Sequence, residues 1–184
     1  MLLIKAETFG PLTLTLGAFK LNLVAVSHFP CSPGEFSLTI ETLEFKIRIK
    51  APVQKVWAVL WDEETYKKWT GSFCEGSYAI SEWNQGDKIH FLSPNGEGMN
   101  SVIETKIPNE YMAFKHIGEI KDFKELPLDE ETKKWTGAME TYRLTADDEF
   151  TDLVAQVDVV EKYIDYFKEA FPKGLETAKE LSEK

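Results

Sequence analysis

The sequence predicts an α+β fold in which consecutive antiparallel strands precede a long C-terminal helix. Residues 43–49 alternate between apolar and charged side chains, which is typical of a strand with one buried face. About six strand-like segments lie between residues 77 and 157 with no helical pattern between them, which excludes a doubly wound parallel sheet. From Val160 to Leu181, apolar residues recur every three or four positions, which predicts an amphipathic helix.

Two short helices are predicted directly after the first strand. Pro52 cannot donate a hydrogen bond to a sheet but suits a first helical turn, and apolar residues then recur at helical spacing as far as Leu60. Asp62 offers a side-chain oxygen to the free amides of a second helix, and Thr65 is the alternative cap. Gly71 ends that helix.

The middle of the chain predicts a meander of three hairpins joined by polar turns. Their paired strands are residues 77–83 with 88–92, 99–107 with 111–120, and 137–144 with 150–157. In the last hairpin, Glu140, Tyr142 and Leu144 share one face of their strand. The charged segment 121–135 is predicted to be a loop or irregular excursion.

The C-terminal helix contains Pro172, which removes an amide donor and is predicted to kink the helix or divide it near Phe171. Gly174 is expected to ease that bend. The apolar and aromatic stripe of the helix needs a surface to lie on, and the apolar face of the sheet is the one that the sequence provides.

The composition excludes several function classes. A formal charge of −10 without a basic stripe argues against a nucleic-acid partner and disfavours an anionic membrane surface. The apolar runs are too short for a membrane-spanning helix. Cys31 and Cys74 form neither a disulfide framework nor a zinc motif, and two reduced thiols are consistent with a cytoplasmic address.

Residues 1–42 differ from the rest and are predicted to form an N-terminal extension, separate from a domain over residues 43–184. Leucine and threonine alternate in this segment, which suggests a hairpin, and Pro30 to Gly34 reads as a linker. A leader that contributes nothing to function is the alternative. Lys5 and Glu7 interrupt the apolar residues near the N-terminus, so the start does not resemble a secretory signal.

Several motifs occur in an order that points to a known superfamily. They are residues 49–69 (IKAPVQKVWAVLWDEETYKKW), Glu75-Gly76-Ser77 followed by Trp83 and Gly86-Asp87-Lys88, then Gly98, and residues 107–116 (IPNEYMAFKH). Over residues 43–183 the chain resembles the START-like (SRPBCC) superfamily. Within it, the chain is similar to the family of the C-terminal domain of the activator of heat-shock protein 90 ATPase.

The resemblance implies a helix-grip fold. In such proteins a curved antiparallel sheet, here of about six to seven strands, wraps around the long C-terminal helix, with two short helices after the first strand. The cavity between sheet and helix often takes an apolar ligand. The superfamily includes ligand carriers, chaperone activators linked to the stress response, and cyclases, so the fold alone does not choose among these functions.

The leading hypothesis is that a small hydrophobic molecule binds in this cavity. Aromatic side chains would supply apolar area, and Tyr142 or His116 would orient the ligand. Any one of these rings could equally serve as ordinary core packing. The predicted cavity lining is Trp57, Trp61, Trp69, Phe73, Trp83, Phe91, Phe114, His116, Tyr142, Tyr163, Phe167 and Phe171.

Two alternatives stay open at the sequence level. One is an interaction module that regulates a chaperone ATPase, as the resemblance implies. The other is a cyclase- or hydratase-like enzyme that uses His116 or Tyr142 as a general acid or base. Because the sequence shows no catalytic triad order, phosphate-binding glycine loop or metal-ligand cluster, we predict no catalytic residues, cofactor or metal, and favour binding over catalysis.

Overall fold

A computed structural model describes residues 39–184 as an α+β domain. The predicted extension, residues 1–42, lies almost wholly outside this range, and the first strand includes its last three residues. The elements, in chain order, are β1 (Ile40–Ile49), α1 (Val53–Trp61), α2 (Glu63–Thr70), β2 (Tyr78–Ile80), β3 (Lys88–Leu92), β4 (Gly98–Ile107), β5 (Tyr111–Lys121), β6 (Lys124–Glu125), α3 (Glu130–Trp135), β7 (Met139–Asp147), β8 (Phe150–Val160), a 3₁₀ turn (Glu161–Tyr163) and α4 (Ile164–Glu183).

The strands form one curved, unclosed antiparallel sheet in the order β1-β8-β7-β5-β4-β3-β2, with the short β6 paired to β5. Each hairpin predicted from the sequence pairs as expected. Strand β1 forms one edge of the sheet and pairs with β8 along its whole length. This arrangement confirms the predicted fold class. The two short helices follow β1, and α4 packs against β1, α1 and α2.

The start of the domain follows the local signals in the sequence. Asp62 ends α1 and caps α2, since its Oδ1 accepts a hydrogen bond from the amide of Glu64 at 3.4 Å. The Thr65 hydroxyl donates to the Asp62 carbonyl at 3.2 Å instead of capping the helix. The chain therefore turns sharply between the helices and places Trp61 at the corner.

The prediction of an irregular loop over residues 121–135 was wrong. This segment contains β6 and the helix α3, so the strands are not consecutive throughout. The Asp129 carboxylate caps α3 by accepting from the amide of Thr132 at 2.7 Å. Trp135, at the end of α3, is only 5% exposed. Packing of α3 against β5, with the Trp135 ring buried, gives a short charged helix the tertiary support that local periodicity does not show.

The strand predicted over residues 77–83 is shorter than expected, because regular pairing covers only β2. Beyond it, the Ser81 hydroxyl donates to the carbonyl of Lys88 at 2.9 Å and accepts from the amide of Trp83 at 3.0 Å. A serine side chain thus replaces the backbone ladder at this edge. Trp83 takes a positive φ of 60° and turns its ring toward α1 and α2.

Helix α4 continues through Pro172, so the predicted division near Phe171 does not occur. The Phe171 ring stacks on Phe45 of β1, with centroids 4.7 Å apart and an interplanar angle of 7°. Gly174 allows α4 to lie close to α2, since a Cβ at this position would sit 3.2 Å from the carbonyl oxygen of Trp69. Packing on both sides of Pro172 therefore holds the helix together despite the missing donor.

Candidate functional site

A groove of about 580 Å³ opens between the corner of α1 and α2 on one side and β2 on the other. Small-molecule sites typically have volumes of about 300 to 1,000 Å³. Aromatic rings and a β2 alanine line much of the groove, and Ile80, at 56% exposure, lies on its rim. The residues that line the groove are Trp61, Glu63, Tyr66, Lys67, Tyr78, Ala79, Ile80, Ser81 and Trp83.

A second, much smaller cavity of about 10 Å³ lies inside the domain, directly behind this groove. Trp61 and Tyr66 line both spaces and form the partition between them. The inner side is lined by the rings of Trp69, Phe73, Phe91, Phe114 and Tyr142, and by the carboxyl group of Glu140. The groove therefore leads toward the interior of the sheet and is closed by two aromatic side chains.

A third cavity, of about 20 Å³, lies near the N-terminal part of α4 and contains His116 in its lining together with Trp135, Tyr163 and Phe167. A volume of about 10 to 15 Å³ is enough to hold one water molecule. Each inner cavity thus has room for a single water in the observed arrangement. A larger ligand would need the aromatic partition to move.

The two tryptophans at this corner differ in how firmly they are held. The Trp69 indole donates from Nε1 to the carbonyl of Leu60 at 3.1 Å, and its ring is 2% exposed. The Nε1 of Trp61 is buried and has no hydrogen-bond partner among residues 39–184. Trp61 is held by edge contacts with rings, including those of Phe114 at 5.5 Å and Tyr142 at 5.0 Å between centroids. Trp61 is therefore the less constrained of the two.

A β-bulge brings a serine next to the buried histidine. Asn100 lies opposite Gly118 while Ser101 lies opposite His116, so β5 contains one extra residue at this point. The Ser101 Oγ lies 2.8 Å from His116 Nδ1, and both side chains are buried. His116 is thereby fixed by one ring nitrogen, with Nε2 directed at the neighbouring strand β7.

Glu140 of β7 completes a buried polar cluster with Ser101, His116 and Tyr142. The Tyr142 hydroxyl donates a short hydrogen bond to Glu140 Oε1. The other carboxyl oxygen, Oε2, lies 3.7 Å from His116 Nε2, and neither of these two atoms has a hydrogen-bond partner. The site therefore contains two adjacent polar atoms that burial has removed from water but that the described protein does not satisfy.

Burial favours the uncharged form of each group in this cluster. It lowers the pKa of His116 to about 3 and raises the pKa of the Glu140 carboxyl above its ordinary value. It also raises the pKa of the Tyr142 phenol, and the nearby Glu140 adds to that effect. At 3.7 Å, Glu140 and His116 are too far apart for a direct hydrogen bond, so we interpret them as a neutral carboxyl and a neutral imidazole rather than an ion pair.

The predicted lining residues divide among these spaces. Six of the rings meet at the first inner cavity, on the wall formed by α1, α2 and the sheet: Trp61, Trp69, Phe73, Phe91, Phe114 and Tyr142. His116, Tyr163 and Phe167 line the other inner cavity, and Trp83 lines the groove together with Trp61. Trp57 and Phe171 line none of these three spaces. Phe171 is fully buried against β1, and Trp57 is half-buried on α1.

Sequence reasoning missed Tyr66, Ser101 and Glu140 as parts of the site. Glu140 shared a strand face with Tyr142 and Leu144, and that alternation was the available signal. The signal for Tyr66 was its three-residue spacing from Trp69 on α2. No local pattern marked Ser101, because its contact with His116 depends on a bulge that shifts the register of the hairpin between β4 and β5.

Among residues 39–184, no group of three or more candidate side chains could hold a metal ion. Within the same part of the chain, no helix is both long enough and apolar enough to cross a membrane. Cys74 is a free, partly buried thiol. The site itself offers aromatic contacts and, in the buried cluster, hydrogen-bonding groups.

No protein-family model and no curated protein sequence matches the chain. Solved structures do match its fold. The Aha1 dimer from Colwellia psychrerythraea has a TM-score of 0.60 at 18% identity, covering 78% of this chain and 96% of that one. Protein CV1439 from Chromobacterium violaceum has a TM-score of 0.57 at 18% identity, and the match covers 78% of this chain and 97% of that one.

CalU16 from Micromonospora echinospora is also similar, with a TM-score of 0.54 at 13% identity over 76% of this chain and 74% of its own. DynU16, a protein of the dynemicin biosynthetic locus, has a TM-score of 0.55 at 13% identity, over 76% of this chain and 46% of its own. Identities this low establish a common fold and leave activity open. The chain therefore has the helix-grip fold and is similar in structure to the Aha1 dimer and to CalU16.

Proposed function

We propose that the protein binds a small hydrophobic molecule that enters through the groove and reaches the aromatic interior behind Trp61. The observation that carries this proposal is the shared partition. A groove of ligand-sized volume and an aromatic inner cavity are separated by the side chains of Trp61 and Tyr66. Rotation of these rings would join the two spaces.

The packing around the partition supports such a movement. The edge contacts that hold Trp61 contribute about 0.5 to 1.5 kcal/mol each beyond area burial, and a ligand ring in the same place would replace them. Its indole N–H lacks a partner, so rotation away from the sheet breaks no hydrogen bond and allows that group to be solvated. Trp83 and Tyr78 would remain as the outer wall of the joined space.

The neutral fluorescent probe N-phenyl-1-naphthylamine tests this function, because its emission rises when it leaves water for an apolar site. We expect saturable binding of one probe molecule per chain. Ala79→Trp should weaken this binding at least about tenfold, because Ala79 lines the groove and a tryptophan there would fill it. Trp83→Ala, which removes an aromatic wall, should also weaken it, by about the same factor.

Ala58→Trp is the matched control, since Ala58 is exposed on α1 and lines none of the three cavities. Thermal unfolding of each variant checks that it is folded. Binding to Ala79→Trp and Trp83→Ala as tight as to the unaltered protein would show that the probe does not use the groove. The absence of saturable binding to the unaltered protein would contradict the proposed function itself.

A cytoplasmic, chaperone-associated regulator of an ATPase is the second candidate, and one surface feature favours it. Phe123, Leu126 and Leu128, between β5 and α3, are 63%, 40% and 46% exposed, and clustered exposed apolar residues are typical of protein interaction sites. The fold similarity to Aha1 is consistent with this candidate. Stimulation of a purified heat-shock protein 90 ATPase by the protein, lost in Phe123→Ser but retained in Ala79→Trp, would favour it over ligand binding.

A further inference from the structure

We propose that the buried cluster of Ser101, His116, Glu140 and Tyr142 recognises an uncharged oxygen of the ligand, either a hydroxyl or a carbonyl, and discriminates against a carboxylate. This inference rests on the proposed function and specifies the chemistry of the molecule that would be bound.

The distance between the two unpartnered atoms carries the inference. Glu140 Oε2 and His116 Nε2 are 3.7 Å apart, which is too long for a direct hydrogen bond. Glu140 lines the inner cavity behind the partition, and His116 lines the other inner cavity. A ligand oxygen placed where the two side chains meet would lie about 2.8 Å from both atoms. Both side chains are almost fully buried, at 5% and 3% exposure, so each unsatisfied atom carries a desolvation cost that such an oxygen would remove.

The other contacts in the cluster leave these two atoms free for a ligand. The Tyr142 hydroxyl already occupies Glu140 Oε1, and Ser101 already occupies His116 Nδ1. Burial raises the pKa of Glu140, which favours the protonated carboxyl group. Since Oε1 accepts from Tyr142, a proton on Oε2 can be donated to a ligand. When Ser101 donates to Nδ1, Nε2 carries the ring proton. When Nδ1 donates to Ser101, Nε2 accepts.

Both ring tautomers lead to the same ligand chemistry. With Nε2 as a donor, a carbonyl oxygen accepts from both Glu140 and His116. With Nε2 as an acceptor, a hydroxyl accepts from Glu140 and donates to His116. A hydroxyl also fits the first tautomer as a double acceptor. In each case a neutral oxygen can complete the cluster.

The surrounding charges explain why a carboxylate would be disfavoured. No Lys or Arg lines either of the inner cavities that residues 39–184 form around Glu140 and His116. The second of these cavities includes the carboxyl-bearing Asp158 instead. An anionic ligand would lose its hydration there without gaining a cationic partner.

Three competitors that share one ring system test the inference: naphthalene, 2-naphthol and 2-naphthoate, each used to displace N-phenyl-1-naphthylamine from the full chain at pH 7. We expect 2-naphthol to bind about tenfold more tightly than naphthalene, the ratio that one well-placed hydrogen bond supplies. Because no Lys or Arg lines the inner cavities, where its carboxylate would meet the cluster, 2-naphthoate should bind more weakly than 2-naphthol.

Two variants of Glu140 connect this preference to the cluster. Glu140→Leu should remove the advantage of 2-naphthol over naphthalene, because no donor remains at the position of Oε2. Glu140→Gln should keep most of it, since an amide N–H can donate from the same place. A general structural defect would weaken all three competitors alike, whereas loss of the proposed contact changes their ratio.

The outcomes separate this inference from the proposed function. If naphthalene and 2-naphthol displace the probe equally well, or 2-naphthoate binds most tightly, the inference is wrong while the hydrophobic site remains. If the preference for 2-naphthol persists undiminished in Glu140→Leu, Glu140 does not contact the hydroxyl and the inference is again overturned. If the unaltered protein binds no probe, both proposals fail.

Discussion

Replacing Trp69 with alanine is expected to lower the free energy of unfolding by about 4 kcal/mol, because this ring joins the short helices to the sheet. Trp69 is 2% exposed and has edge contacts with Tyr66, Phe73 and Tyr142. Its indole also donates to the carbonyl of Leu60. Truncation therefore leaves a large cavity and an unsatisfied acceptor, two costs that add.

Chemical denaturation at neutral pH measures this loss, and Trp57→Ala is the matched control. Trp57 lies on the neighbouring helix α1, is half-buried and lines none of the three cavities. We expect its truncation to cost less than half as much. Equal losses for the two variants would contradict the central structural role assigned to Trp69.

The Glu140→Gln variant is expected to gain stability relative to the unaltered protein as the pH increases, because the unaltered protein loses stability. The pKa of Glu140 is raised in the folded protein above its ordinary value of 4.5, chiefly because the carboxyl is buried. Between 4.5 and the folded pKa, the folded protein holds a proton that the unfolded chain has lost. Its free energy of unfolding therefore falls with rising pH, by at most about 1.4 kcal/mol per pH unit. Glutamine has no carboxyl group to titrate, so Glu140→Gln lacks this loss of stability.

His116 in the same cluster changes stability with pH in the opposite direction. Comparing Glu140→Gln with the unaltered protein cancels this effect. Burial lowers the pKa of His116 from 6.5 to about 3, so its contribution to stability is present above pH 6.5 and is lost as the pH falls toward 3. This contribution is common to the unaltered protein and Glu140→Gln. The difference between their unfolding free energies therefore isolates Glu140.

Denaturation of both proteins at several pH values from 4 to 8 is the measurement. The stability difference should be smallest near pH 4 and should grow in favour of Glu140→Gln as the pH rises. Glu104→Gln, which alters an exposed carboxyl on β4, serves as the control and should show no comparable trend. A difference that stays constant with pH would show that burial does not raise the pKa of Glu140.

The regular parts of the fold were predictable because their signals are local. Alternating residues in β1, the polar turn before β3, and the proline and aspartate at the starts of α1 and α2 each act over a few positions. The missed helix α3 is different. Its six residues are mostly charged, and what stabilises them is the burial of Trp135 among residues distant in sequence. Short elements of this kind depend on tertiary contacts.

The candidate site was only partly predictable for the same reason. Aromatic residues on the inner faces could be identified from periodicity, and His116 and Tyr142 were identified as polar groups among them. A glutamate in a strand usually faces solvent, so the strand face that Glu140 shares with Tyr142 and Leu144 was the only local sign of its burial, and a weak one. Its position beside His116 follows from the pairing of β5 with β7 and from the bulge opposite Ser101.

A crystal structure of the protein in complex with 2-naphthol tests the central claim most directly. We expect the ring to lie against Trp83 and a displaced Trp61, with the space behind the partition opened. The hydroxyl should lie about 3 Å from both Glu140 Oε2 and His116 Nε2. Naphthol bound outside the groove, with Trp61 and Tyr66 still closing an unchanged interior, would contradict the claim that this helix-grip fold binds a ligand between its sheet and its helices.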